Sequence, residues 1–197
     1  MSEDKGRFLV VSNRLPVTLS CNENKWEAKS SSGGLVKALN PVLKNRGGFW
    51  IGWPGTFENL KIPAMKEILG PLSKKSGYRF LPVVLTEEDI EQFYYGFSNS
   101  VLWPLFHDFQ TRCNFSPEYW EGYMRTNEKF AKVVLGHSSD KDFIWVNDYQ
   151  LIPLGSMLLE KNPKLNSSFF LHIPFPSVDV FMKLPWRKEI LHQLTCY

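Results

Sequence analysis

The chain has 197 residues, enough for one domain of ordinary size or slightly more. At 43% hydrophobic it can bury a real core, and its 15% aromatic content, with seven Trp and fifteen Phe, suits sugar faces as well as cores. The net charge of +3, without any long Lys/Arg run, argues against a nucleic-acid partner and is compatible with an anionic small molecule.

Cys21, Cys113 and Cys196 are odd in number and far apart, with no CxxC or Cys/His spacing. Neither a disulfide framework nor a zinc site is signalled, and no metal or cofactor is expected. The opening residues lack the apolar stretch of a secretory signal, and no apolar run reaches the ~18 residues that span a bilayer. The expectation is a soluble, cytoplasmic protein with no membrane partner.

In chain order, Phe8 to Ser12 reads as a fully buried strand, ended by Asn13, Arg14, Leu15 and Pro16. A polar stretch to Ser32 follows, with Asn22, Asn24 and several serines as turn formers. Gly33-Gly34 opens a helix whose Leu35, Val36, Leu39, Val42 and Leu43 recur at helical spacing up to Arg46, and Gly47-Gly48 stops it. Phe49 to Trp53 is a second strand, 62–72 a short amphipathic helix, and 78–85 a third strand whose Pro82 argues for a sheet edge. Thr86 caps a helix through Ile90, Phe93 and Tyr94 with Asp89 at its third position. Further helices are expected over 117–135, 150–161 and 185–195, and strands over 142–148 and 167–173. This alternation predicts an α/β fold with a mainly parallel, doubly wound sheet. Such sheets bind ligands beyond the carboxyl ends of their strands.

The polar residues at those ends therefore carry the interest. Arg14 closes the first strand and is either a phosphate anchor or a surface arginine paired with a carboxylate. Ser31-Ser32-Gly33-Gly34 offers free amides and close backbone approach for a phosphate, or is a plain turn; neither a GxGxxG nor a Walker lysine is present. Asp148 either binds sugar hydroxyls or caps the helix behind it. His172, held by Ile173-Pro174 and Phe175-Pro176, either meets a sugar hydroxyl or is a satisfied core histidine. Trp53, Tyr94, Tyr95 and Trp103 either stack on sugars or pack in the core. Jointly these groups suit a phosphorylated or nucleotide-linked sugar.

The segments VVSNRLPV, SSGGLVKAL, GFWIGWPG, YYGFSNSVLWPLFH, WVNDYQL and FFLHIPFPS, extended by WEGYMRTNEKFA and LPWRKEIL, resemble those of the trehalose-6-phosphate synthases, retaining glycosyltransferases, in order and spacing. The resemblance runs from about Phe8 to Leu194. It implies the N-terminal, Rossmann-like half of a GT-B fold, with the active site in a cleft between two domains. The implied reaction transfers glucose from UDP-glucose to glucose 6-phosphate. Arg14 resembles the residue that binds the acceptor phosphate; Trp53, Tyr95 and Trp103 match acceptor-pocket positions. Asp148 matches the aspartate that holds the acceptor near its reacting hydroxyl. Gly33 and Gly34 match the loop over the donor diphosphate, and His172 the histidine beside the donor glucosyl unit. The family retains configuration by same-face transfer, donor phosphate oxygens taking the acceptor proton, so Asp148 orients more than it attacks.

The family's second domain carries a basic Arg/Lys pair, a second acceptor-phosphate arginine and a ribose-binding glutamate that have no match here. Residues 1–197 are therefore expected to be an acceptor-binding domain, a fragment holding half an active site and inactive alone. Val178-Asp179 stands where many relatives have Ser-Glu, a mild departure past the histidine. Two other readings stand beside this one: a non-catalytic synthase-like domain of a regulatory complex, and a generic sugar-phosphate or nucleotide module. A homo-oligomer or a place in a trehalose synthase complex is left open.

Overall fold

The computed structural model describes residues 6–23, 25–31, 33–56 and 60–197, so Asn24 and Ser32 of the sequence reading lie outside the described residues. The strands are β1 (Phe8–Arg14), β2 (Val17–Asn22), β3 (Lys25–Ser30), β4 (Gly48–Trp53), β5 (Arg79–Pro82), β6 (Phe143–Asn147) and β7 (Asn166–Phe170). The helices are α1 (Gly34–Arg46), α2 (Ile62–Ser76), α3 (Glu87–Asp89), α4 (Trp103–Phe106), α5 (Pro117–Leu135), α6 (Leu154–Lys161), α7 (Val178–Phe181) and α8 (Arg187–Leu194). Between α3 and α4 the chain runs on as a wide, π-type helix over Ile90–Leu102, where the Trp103 amide reaches back to the Ser98 carbonyl.

The main sheet is parallel throughout, in the order β5-β4-β1-β6-β7. Its centre is β1, whose Val10 stands opposite Trp50 on one side and Trp145 on the other. Alternation along β1 sorts its side chains between two cores. Phe8 and Val10 pack with Leu39 and Leu43 of α1, Met65 and Leu69 of α2, and Val17 and Leu19 of β2. Leu9 and Val11 pack with Phe93 and Phe97 of the wide helix, Phe130 of α5 and Leu158 of α6. Leu9, Val10, Val11 and Trp50 are fully buried, each such side chain contributing about 1.5–3 kcal/mol by leaving water. Helices on both faces make the sheet doubly wound, as the alternation predicts.

Two expectations change. The stretch after β1 is not a polar loop: β2 and β3 form an antiparallel hairpin in which Val17 and Leu19 are buried, a period-2 pattern set among Thr18, Ser20 and the turn formers that follow. The last strand stops at Phe170 rather than Ile173, so His172 stands in the irregular segment beyond it. Other features follow the sequence reading. Pro82 sits on the edge strand. Thr86 and Asp89 form a reciprocal cap, the Thr86 amide donating to Asp89 Oδ2 at 2.7 Å and the Asp89 amide to Thr86 Oγ1 at 3.1 Å. Lys129 of α5 also binds Asp89 Oδ2, tying the start of the wide helix to α5. Burial opposes ionisation of Asp89, yet Lys129 and the Thr86 groups hold its carboxyl below the usual range.

A second buried carboxylate ties the amino ends of the two central strands. Asp142, just before β6, accepts the Arg7 amide at 2.7 Å and the Arg7 guanidinium at 2.6 Å, and the Ser139 amide at 2.8 Å. Burial raises its pKa, but these donors outweigh burial and lower it to about 2. A folded pKa below the unfolded value of ~3.9 means stabilisation that is complete above about pH 4 and lost as pH falls through about 2. We expect Asp142→Asn to cost about 2 kcal/mol near neutrality, measured by denaturant unfolding. That gap should close as pH falls from about 4 to about 2; a pH-independent gap would contradict the assignment.

Candidate active site

The strand order reverses at β1, with β4 on one side and β6 on the other, and an open cleft of about 460 Å³ lies at this point beyond the carboxyl ends. Arg14, Gly33 and Asp148 all line it, together with Ser12, Asn13 and Asn147.

Arg14 reaches the cleft through a local irregularity. The β1–β4 register shifts between Val11 and Arg14. Gly52 permits this, because a Cβ there would stand 2.8 Å from the Arg14 carbonyl carbon and the Leu15 nitrogen. The guanidinium lies over the Trp53 ring, 4.8 Å from its centroid. Behind it the turn at Gly55 has φ +80, and a Cβ there would stand 2.3 Å from Arg14 Nη2. Trp53 is itself buried, and its indole N–H donates to the Thr56 carbonyl at 3.0 Å. Among the described residues no carboxylate pairs with Arg14, so its surface ion-pair reading falls away. Trp53 is brought to the site as a platform beneath the cation.

Gly33 and Gly34 form the start of α1. No side chain caps this helix and no acidic residue stands in its first turn. A Cβ at either glycine would meet nothing within 4 Å, which leaves the first-turn amides approachable from the cleft side.

Asp148 follows β6 with φ +76 and ψ 163, a conformation occupied almost only by glycine and costing of order 1–3 kcal/mol elsewhere. Several bonds impose it. The Asp148 amide donates to the Phe170 carbonyl at 2.8 Å. Its Oδ1 accepts the Tyr149 amide at 3.0 Å and the His172 amide at 3.3 Å. The residues behind it are clamped by fully buried Tyr123, whose hydroxyl donates to the Tyr149 carbonyl at 2.6 Å, and by Asn127, which donates to the Gln150 carbonyl at 3.1 Å. Tyr197 Oη lies 2.9 Å from the Leu151 carbonyl and accepts the Gly155 amide at 2.8 Å. Burial pushes the Tyr123 and Tyr197 hydroxyls far above the usual tyrosine range, so both remain donors. The capping reading of Asp148 is therefore correct in part: the carboxylate caps a short 3₁₀ turn, but at a strained position facing the cleft.

His172 is exposed and hydrogen-bonds Asn147 Oδ1 through Nε2 at 3.1 Å. Asn147 is fully buried, and its amide nitrogen donates to the Val11 and Trp145 carbonyls at 3.3 and 3.0 Å. With that nitrogen committed, Oδ1 faces the ring, so Nε2 carries the proton and Nδ1 of the neutral ring is an acceptor. In the sequence Asn147 stands out with Asp148 only as a polar pair closing an apolar strand, with no role attached to it.

Tyr95 and Trp103 do not line this cleft. They stand on the wide helix and α4, 53% and 39% exposed, with Trp103 stacked on His107 at 4.3 Å. The Tyr149 hydroxyl donates to Asn99 at 3.2 Å, linking that helix to the segment after Asp148. Among the described residues no group of three or more His, Cys, Asp or Glu could hold a metal ion, and no helix is long and apolar enough to cross a membrane.

The family model for glycosyltransferase family 20 matches residues 6–197. The chain belongs to glycosyltransferase family 20. A family member named trehalose-6-phosphate synthase from Mycolicibacterium gilvum is 42% identical over 192 residues, which cover 96% of this chain and 37% of that protein. The solved family 20 structure of an alpha,alpha-trehalose-phosphate synthase (UDP-forming) from Burkholderia xenovorans in complex with glucose-6-phosphate has a TM-score of 0.76 and 30% identity, covering 98% of this chain and 39% of its own. A structure from E. coli bound with UDP-2-fluoro glucose has a TM-score of 0.79 and 33% identity over 98% of this chain and 38% of its own. The sheet described above is thus the Rossmann-like domain of a GT-B enzyme family, and the chain spans well under half the length of these relatives.

The backbone at Asp148 generates a direct test. Asp148→Gly and Asp148→Ala both remove the carboxylate, but only glycine relieves the conformation. We expect the glycine variant to be the more stable by about 1–2 kcal/mol in denaturant unfolding, the reverse of the usual order; an alanine variant of equal or greater stability would show that the position is unstrained.

Proposed function

We propose that this chain supplies the acceptor-binding half of a retaining glucosyltransferase that joins glucose from UDP-glucose to glucose 6-phosphate. The observation that carries the reading is the cleft at the strand-order reversal, where Arg14, a cation with no carboxylate partner among the described residues, shares one lining with the amide-rich start of α1 and the carboxylate of Asp148. Family membership and relatives named for this synthesis support it.

In this reading the Arg14 guanidinium binds the acceptor phosphate, held flat by Trp53, so that little freedom is lost when the ligand arrives. Gly33 and Gly34 lie against the donor diphosphate, whose leaving charge the α1 amides stabilise. Asp148 accepts a hydroxyl of the acceptor and orients it. His172 stands beside the donor glucosyl unit, and Tyr95 and Trp103, on the wide helix and α4 outside the lining of this cleft, meet the acceptor from beyond its edge. Among the described residues lining the cleft, Asp148 is the one carboxylate. In this reading the chain supplies its half of a same-face transfer, by positioning and electrostatics. The remaining donor contacts belong, in this reading, to a second domain of the full-length protein, which works in the cytoplasm.

Calorimetric titration of the chain with glucose 6-phosphate should show saturable binding, weakened roughly ten- to hundredfold by Arg14→Ala, with glucose alone much weaker. Glucose bound as tightly as glucose 6-phosphate would overturn the phosphate anchor. The chain alone should form no trehalose 6-phosphate from the two substrates; product formation would show that it holds a complete site.

A further inference from the structure

Ser12, Asn147 and Asp148 of the cleft lining are committed to the protein itself. Ser12 Oγ accepts the Trp50 indole N–H at 2.8 Å and donates to the Arg14 carbonyl at 2.7 Å. Asn147 is fully engaged with Val11, Trp145 and His172. Asp148 Oδ1 holds two amides. Asn13 differs. It is only 9% exposed, it lines the cleft, and its Oδ1 is buried with no hydrogen-bond partner. Among the described residues the other buried side-chain atoms without a partner belong to Ser98, Thr126, Asn127 and Gln193, none of which lines the cleft.

The position explains how the amide comes to be unpaired. The β1–β6 ladder ends at Val11, and the β1–β4 ladder is interrupted between Val11 and Arg14. Ser12 and Asn13 therefore lie where the strand parts from both neighbours, at the point of reversal. A buried acceptor without a donor is unfavourable, and the cost disappears when a ligand supplies the donor.

The chemistry of that ligand group follows from the atom. An amide oxygen accepts only, so it has nothing to gain from a phosphate oxygen, which accepts too. The groups of a phosphosugar that can donate are its hydroxyls. Resting on the reading of the cleft as a phosphosugar site, we infer that Asn13 is a further substrate-binding residue, its Oδ1 accepting a sugar hydroxyl while the neighbouring Arg14 takes the phosphate. Such a contact distinguishes a phosphosugar from an anion that carries no hydroxyl, which leaves the acceptor unmet.

Asn13→Leu tests this with two readouts on the 197-residue chain. Leucine has the same number of side-chain heavy atoms and the same branching and removes the unpaired oxygen, so the ligand-free variant should melt at the same temperature as the native chain or higher. In calorimetry its affinity for glucose 6-phosphate should fall about tenfold or more while its affinity for sulfate, an anion with no hydroxyl to donate, is unchanged. A melting temperature lowered by several degrees would show that the amide serves the fold, and an undiminished affinity for glucose 6-phosphate would show that it touches no hydroxyl; either result overturns the inference. A native chain that binds sulfate but prefers no sugar to it would overturn the phosphosugar reading itself, and this inference with it.

Discussion

The dipeptide Asn147-Asp148 is the fastening on which the cleft depends. It sits at the end of β6 and reaches three places at once: β1 through the Val11 carbonyl, the end of β7 through the Phe170 carbonyl, and the segment beyond β7 through His172. A strand end that carried only apolar residues would keep the backbone bond to Phe170 but lose the side-chain donor to the Val11 carbonyl and the partner of the His172 ring. The same bonds hold Asp148 in a backbone conformation that an aspartate does not choose, and they do so beside the cavity rather than within the core. Strain of this kind persists only where surrounding contacts outnumber it.

Arg14 expresses the same principle in charge. Its guanidinium is held by a ring and a glycine turn, and among the described residues no carboxylate pairs with it. An ion pair would neutralise it, and a free chain end would cost entropy on binding. Resting a planar cation on Trp53 avoids both. The hairpin of β2 and β3 completes this corner, since the Leu15 and Leu19 amides donate to the Trp53 and Pro54 carbonyls and so fix the turn beneath the arginine.

The main layout was legible because it follows from hydrophobic runs. Phe8 to Val11 and the helical spacing of Tyr123, Asn127, Phe130 and Val134 leave little choice of element. The hairpin was not, because Val17 and Leu19 alternate with polar residues in a stretch that also carries turn formers. The wide helix was not, because widening by one residue per turn is a response to tertiary packing, with no residue type that signals it. At the site, residue types located Arg14, Asp148 and His172, but not their partners. Asp148 read equally as a helix cap and as a sugar-binding carboxylate, and its positive-φ backbone became visible only with the Phe170 and His172 contacts. Asn147 and Asn13 were legible as polar residues closing strands but not in their roles: a neutral amide announces nothing until its burial and its partners are known. Tyr95 and Trp103, whose rings and family resemblance both suited a sugar, stand apart from the cleft that Arg14 and Asp148 line.

The claim that binds these observations together is that the carboxyl ends of β1 and β6 form one phosphosugar site. A crystal structure of the chain soaked with glucose 6-phosphate tests it most directly. The account predicts the phosphate within about 2.7–2.9 Å of the Arg14 guanidinium and a sugar hydroxyl against the Asp148 carboxylate. A phosphate seated elsewhere, with Arg14 still flat on Trp53 and Asp148 untouched, would contradict it.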